Sequence, residues 1–179
     1  MEKEGKLKEE FRQGNISLIL DSYDDIFSDF DPRPYNEKAL SDDFLSECIR
    51  AARDKEGVIE LILSIPKKHR NLNHESKIKK RVKDHFKKHH FEKEKEIKKI
   101  KRMGMTWVFI GAILMTSAAL LQTLYKEFII NLLIIIVTPA GWFSFWEGLG
   151  KIFIDSKEKE SDYIFYKKMS NSTITFKEY

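Results

Sequence analysis

MGMTWVFIGAILMTSAALLQTLY, residues 103–125, is followed by Lys126 and Glu127 and then by FIINLLIIIVTPAGWFSFW, residues 128–146. The first run holds 23 residues without a charge and the second 19. A helix rises about 1.5 Å per residue and the hydrocarbon core of a bilayer is about 30 Å thick, so roughly 20 apolar residues cross it. Each run meets that length. The two charges between them predict a turn, because one continuous apolar helix would bury Lys126 and Glu127 without a partner. The stretch therefore reads as a two-helix transmembrane hairpin, with spans at 103–125 and 128–147.

The average composition conceals this. Mean hydropathy is −0.43 and 34% of residues are charged, values ordinary for a soluble chain. Charge is segregated along the sequence. Residues 1–66 carry 9 Lys/Arg against 16 Asp/Glu, and residues 67–102 carry 16 against 5. From residue 103 onward the two signs balance at 7 each, so the formal net of +4 says little and its distribution says much. The first ten residues show no apolar core of a secretory signal, so the first span is expected to target the membrane itself. Cys48 is the only cysteine, which fits a reducing cytosol. Its place on an apolar helix face with Phe44, Leu45, Ile49 and Ala52 predicts burial.

The basic cluster fixes a direction. Lys98, Lys99, Lys101 and Arg102 stand just before the first span, and positive charge beside a span is retained in the cytoplasm. Trp107 opens the first span, and Trp142 and Trp146 close the second. Tryptophan favours the membrane–water boundary, so all three are expected at the cytoplasmic side, with Glu147, Lys101 and Arg102. The localisation expected is the inner (plasma) membrane, crossed twice, with both termini cytoplasmic.

Outside the spans the pattern predicts a small cytoplasmic α+β domain built from both terminal segments. Residues 1–72 form its acidic α+β region, 73–102 a long basic juxtamembrane helix, and 148–179 a C-terminal segment that completes it. Residues 1–14 read as frayed or loosely helical. Ile16–Leu20 and Val58–Ile65 read as parallel strands, Ile174–Phe176 as a third, and Tyr163–Tyr166 as either helix or strand. Ser41 caps a helix reaching about Lys55, with Gly57 ending it. Asn73 or Ser76 starts the long helix. Its apolar stripe of Ile78, Val82 and Phe86, then Ile97 and Ile100, is thin, so much of it is expected to be solvated or paired with another copy. Gly148 and Gly150 are expected to loosen the end of the second span.

Several groups have the residue types of a site. Asp21, Asp24, Asp25, Asp29 and Asp31 offer hard oxygen ligands for a divalent cation, but without the spacing of an EF-hand loop. The competing reading is turn formation and pairing with Arg33. The aromatics of residues 27–35 are candidates for a subunit or membrane contact. His85 and His89, four apart, suit two-point metal binding, but no further ligand completes a site, and a solvated helix face is the plainer reading of His85, His89 and His90. The basic helix suits anionic headgroups better than nucleic acid, since no nucleic-acid reader motif accompanies it. Gly104, Gly111 and Ala118 recur every seventh residue and offer a close-packing face to the hairpin or to an oligomer. Gln122 and Asn131 are candidates to bond across the turn, and Pro139 to bend the second helix. Glu147 reads as an interfacial carboxylate pairing with Lys151 or Lys101, or as part of a ring at a pore mouth.

No glycine-rich phosphate loop, G-x-S-x-G, H-E-x-x-H or Cys/His nucleophile pair is present, so no enzyme, cofactor or metal is expected. Three functions remain in view. The first is a homo-oligomeric membrane protein that couples a cytoplasmic signal or partner protein to the bilayer, with a membrane-perturbing defence effector as its concrete form. The second is a non-conducting anchor for a cytoplasmic partner. The third is a metal- or nucleotide-responsive membrane sensor centred on residues 21–35.

Overall fold

The computed structural model describes residues 15–55, 57 and 59–179. The expectations for residues 1–14 and for Val58 lie outside the described residues. The chain forms two compact units, residues 1–91 with 163–179, and residues 92–162.

The first unit is a mixed helix-and-sheet domain. Strands β1 (Asn15–Ile19), β2 (Glu60–Ile65) and β3 (Thr173–Glu178) form a sheet in the order β1-β2-β3, with both pairings parallel. Parallel neighbours need a crossover rather than a hairpin. The β1–β2 crossover contains α1 (Asp42–Ala52). The β2–β3 crossover begins in α2 (Leu72–Leu124) and ends in α4 (Glu160–Ser170), so β3 is delivered to the sheet only after the whole apolar region has been made.

Register decides which face is buried. Ile16 aligns with Leu61 and Ile174, and Leu18 with Leu63 and Phe176. These residues form one apolar cluster, with Leu18 half-buried at its edge, together with Phe44 and Cys48 of α1, Ile78, Val82 and Phe86 of α2, and Phe165 and Met169 of α4. The alternate positions, including Ser17, Ser64, Thr175 and Lys177, are on the opposite face. Ile78, Val82 and Phe86 are each 0% exposed, while nearly all other positions of 72–102 are exposed or half-buried, as the thin stripe led us to expect. Three large side chains at i, i+4 and i+8 are enough to seat one helix face on a small sheet.

Helix starts follow local chemistry. The Ser41 hydroxyl accepts the Phe44 N–H at 3.1 Å, as expected of an N-cap. Asn71 begins the long helix in place of Asn73 or Ser76, because its side-chain oxygen accepts the N–H groups of Asn73 (3.0 Å) and His74 (3.2 Å). α1 stops at Ala52, short of Lys55, and Gly57 takes a φ of +83°, which favours glycine. Tyr163–Tyr166 is helical within α4, where Phe165 faces the core.

The second unit holds the rest of α2 and α3 (Phe128–Gly150), which is joined to α2 by Tyr125–Glu127. Both helices are long and apolar enough to cross a membrane. α2 continues unbroken from the basic segment into the apolar one. The break expected at Lys126 and Glu127 is present, and both residues are exposed. The helix does not loosen at Gly148 and Gly150. It passes into a π-helical stretch, Lys151–Asp155, and then a short turn, Ser156–Glu158.

Candidate functional site

Within the second unit the two apolar helices meet along glycines. A Cβ added at Gly111 would stand 2.6 Å from Phe145 N and 2.7 Å from Gly141 O. One added at Gly104 would stand 2.8 Å from Gly148 O, and one at Gly148 2.6 Å from Gly104 O. At Gly141 the neighbour is Met115 Cγ at 2.8 Å. Most of these neighbours are backbone atoms, which cannot swing aside. The closeness of the helices therefore depends on the missing side chains. Gly104 and Gly148 are equidistant in sequence from Lys126, and so are Gly111 and Gly141, which is the register of an antiparallel hairpin turning at that lysine. Ala118, the third residue of the heptad series, is 3% exposed.

The large side chains point the other way. Phe109, Ile113, Phe128, Ile129, Ile135 and Phe143 are all exposed. Only 17% and 11% of the most apolar stretches of the two helices are buried. Several hydroxyls are bonded within their own helices: Thr106 donates to Arg102 O (3.0 Å), Ser117 to Ile113 O (2.7 Å) and Ser144 to Ala140 O (2.8 Å). Backbone and side-chain polar groups that are satisfied internally suit a solvent that offers no hydrogen bonds. Gln122 and Asn131 face outward and do not bond across the turn. α3 remains one helix through Pro139.

At the end of the hairpin away from the turn, the rings of Trp142 and Trp146 stack 6.3 Å apart and both are exposed, while Trp107 is half-buried. Lys101 and Arg102 are exposed. Glu147 pairs with Lys151 at 2.8 Å rather than with Lys101, and Lys151 also approaches Asp155 at 3.8 Å. Gly148 serves the close approach of the helices, which explains why it does not end one.

In the first unit the acidic stretch is spent on turns. Asp25 accepts the N–H groups of Asp21 (2.7 Å) and Ser22 (3.1 Å) in a capping box. Asp31 takes the fork of Arg33, with Nε at 2.9 Å and Nη2 at 2.7 Å, and accepts the Ala39 N–H at 2.7 Å. These bonds hold its carboxyl well below the usual range. Asp24 pairs with Lys38 at 3.1 Å, and Asp29 is exposed in a turn. Among the described residues no group of three His, Cys, Asp or Glu side chains could hold a metal ion. Tyr23, Phe27 and Tyr35 pack against their own domain's core, and Phe30 alone of that stretch's aromatics stands fully out, at 98% exposed.

The histidines differ from the expected solvated face. The His85 and His89 rings lie 4.3 Å apart, His89 faces Tyr166 and His90 faces Tyr163, each at 5.3 Å. Burial, with the nearby charges of His89, Arg81 and Lys88, lowers the His85 pKa to about 4. Cys48 is fully buried, and burial pushes its thiol up to about 12, so it packs and does not react.

Sequence reasoning did not find Gly141 and Gly148 as the partners of Gly104 and Gly111. Their equal spacing from Lys126 was the available signal. It also missed the buried Glu75, which takes Arg70 at 2.9 and 3.0 Å and the Tyr23 hydroxyl at 3.1 Å.

The chain matches no family model, no curated protein and no solved structure. Its geometry defines a mixed helix-and-sheet protein with two helices long and apolar enough to cross a membrane.

Proposed function

We propose that this chain is an integral inner-membrane protein whose hairpin crosses the bilayer twice, with both termini in the cytoplasm. Its assembly as a homo-oligomer would couple a cytoplasmic signal or partner protein to the membrane. The observation that carries this reading is the inverted burial of the hairpin, with glycines inside and large apolar side chains outside. In water such a surface is an aggregation hazard, whereas in hydrocarbon it is the solvated surface. Lys98, Lys99, Lys101 and Arg102 before the first span support the orientation, and they suit anionic headgroups at about 1 kcal/mol each.

The test is sidedness. Single cysteines at Lys126 and near Tyr179, in a Cys48→Ala background, are probed on intact cells with a membrane-impermeant maleimide. Labelling at Lys126 alone is expected, and labelling near Tyr179 refutes the topology. For the coupling role, overexpression is expected to depolarise cells. An unchanged membrane potential at every expression level removes the membrane-perturbing form.

One observation favours the non-conducting anchor. The glycine seam is consumed within the hairpin, so a single copy has no polar path. Replacing residues 103–147 by an unrelated hairpin separates the two: an anchor keeps its partner and its activity, and a membrane-active assembly loses activity.

A further inference from the structure

The first unit contains an open cleft of about 370 Å³ beside the acidic stretch, the region weighed above as a nucleotide-responsive centre. It lies within the range of about 300–1,000 Å³ usual for small-molecule sites. Arg33 and Lys38 line it from the loop after β1, and His74 and Lys77 from the first turns of α2, with Tyr35 and Asp24 between them. Two of its three permanent cations are already paired, Arg33 with Asp31 and Lys38 with Asp24.

The walls are held in place. The Arg33 fork is fixed by Asp31, which is not part of the lining. Lys38 is held at its side chain by Asp24 and at its carbonyl by the Arg81 Nε, which donates at 2.9 Å. Lys77 makes no ion pair among the described residues, so its charge is available. The Tyr35 ring stacks on Phe27 at 5.3 Å and meets His74 edge-on at 5.3 Å, which gives one flat apolar wall beside the cations. With the fork held by Asp31 and Lys38 held by Asp24, the donors turned to a ligand are the Lys77 ammonium and the Nη1 edge of Arg33, and phosphate oxygens favour such charged donors. The aromatic wall suits an organic group attached to that phosphate.

We infer that this cleft binds a small organic phosphate of the nucleoside mono- or diphosphate class, with Lys77 and the Nη1 edge of Arg33 on the phosphate and Tyr35 and His74 beside the organic moiety. The inference does not depend on the membrane orientation, and its test reads binding rather than potential, so the two fail separately.

The experiment is titration calorimetry on the full chain in zwitterionic nanodiscs, with ADP, AMP, inorganic phosphate and adenosine as separate probes. Saturable 1:1 binding of ADP or AMP is expected, with weaker binding of phosphate and none of adenosine. Lys77→Gln should weaken Kd by about fivefold, the upper end for one solvent-exposed charge pair. Lys80→Gln, which removes the same charge from the same helix outside the cavity, should leave Kd within about twofold. A thermal melt confirms that both variants are folded. Absence of saturable nucleotide binding overturns the proposal, as does adenosine binding as tightly as ADP or an equal loss in Lys80→Gln. Lys77-dependent binding to phosphatidylglycerol vesicles, with no soluble phosphate bound, overturns it in favour of a lipid headgroup.

Discussion

The sheet domain and the helical hairpin bury opposite kinds of side chain. In the domain, Phe27, Phe86, Ile78 and Met169 are inside, and among the described residues the charges are outside or half-buried except Glu75, which Arg70 pairs. In the hairpin, Gly104, Gly111, Gly141 and Gly148 are inside, while isoleucine, leucine and phenylalanine face out. The proposed membrane crossing would account for both patterns with two solvent rules. Where water is the solvent, removing large apolar surface from it drives packing. Where hydrocarbon is the solvent, leucine gains little by moving inward, and close backbone contact decides the fit. The difference teaches that the burial pattern, more than mean hydropathy, reports the surroundings each region is built for.

That contrast can be broken by exchanging residue types between the regions. The largest effect is expected from Phe86→Ala, which empties the middle of the domain core and should cost about 3–5 kcal/mol, read as a lower denaturant midpoint for the domain's transition. By the same logic Phe143→Ala, on the outward face of α3, should cost under about 0.5 kcal/mol. Equal costs at the two sites would end the distinction.

Next in size is Ile135→Lys at the outward surface of the second apolar helix. Its penalty for membrane insertion should be about 2.5–3.5 kcal/mol, measured as the inserted fraction in a glycosylation-reporter assay. Ile19→Lys, equally outward but on β1 of the domain, should be close to neutral in a melt. An insertion-neutral Ile135→Lys would mean that the hairpin is built for water.

Gly111→Ala tests the seam. One methyl would meet Phe145 N and Gly141 O, both backbone atoms, so the helices must part. A cost of about 1–3 kcal/mol is expected, read as faster trapping of the separated hairpin in lipid nanodiscs. Ala at Gly150, where nothing lies within 4 Å, should not destabilise it.

The smallest effect concerns pH. Because the His85 pKa lies at about 4 in the fold and at about 6.5 in the unfolded chain, the unfolded state binds more protons between those values. Stability should therefore be full above about 6.5 and fall as pH drops toward 4. Glu75 acts in the same direction at lower pH. Its carboxyl is lowered by the Arg70 hydrogen bonds, so the stability it supplies is lost as pH falls below the ordinary carboxylate range. His85→Gln should flatten the melting temperature between pH 7 and pH 5 and leave the lower-pH loss in place. An unchanged slope would place the titration elsewhere.

Much of this was legible from residue order. Uncharged runs of helical length, and the Lys126–Glu127 interruption, are properties of consecutive residues and need no partner to be read. The Ser41 cap and the three strands were also readable, since capping and β-branched runs act locally. The candidate site was less so. The cavity joins residues 24–38 to residues 74–77, and nothing in either segment announces the other. The histidines were misjudged because their environment comes from Tyr163 and Tyr166, more than 70 positions later. The π-helical stretch was invisible because Gly148 carries the same letter whether it ends a helix or admits a neighbour.

Sequence by itself determined the two apolar helices, the turn between them and the charge asymmetry beside them, because length and charge along a chain are local quantities. Tertiary structure alone decided that the glycines serve the hairpin, that β2 is the central strand, and that scattered cations share one cavity. Those outcomes depend on which distant backbone comes within a few ångströms, and that is settled only when packing closes.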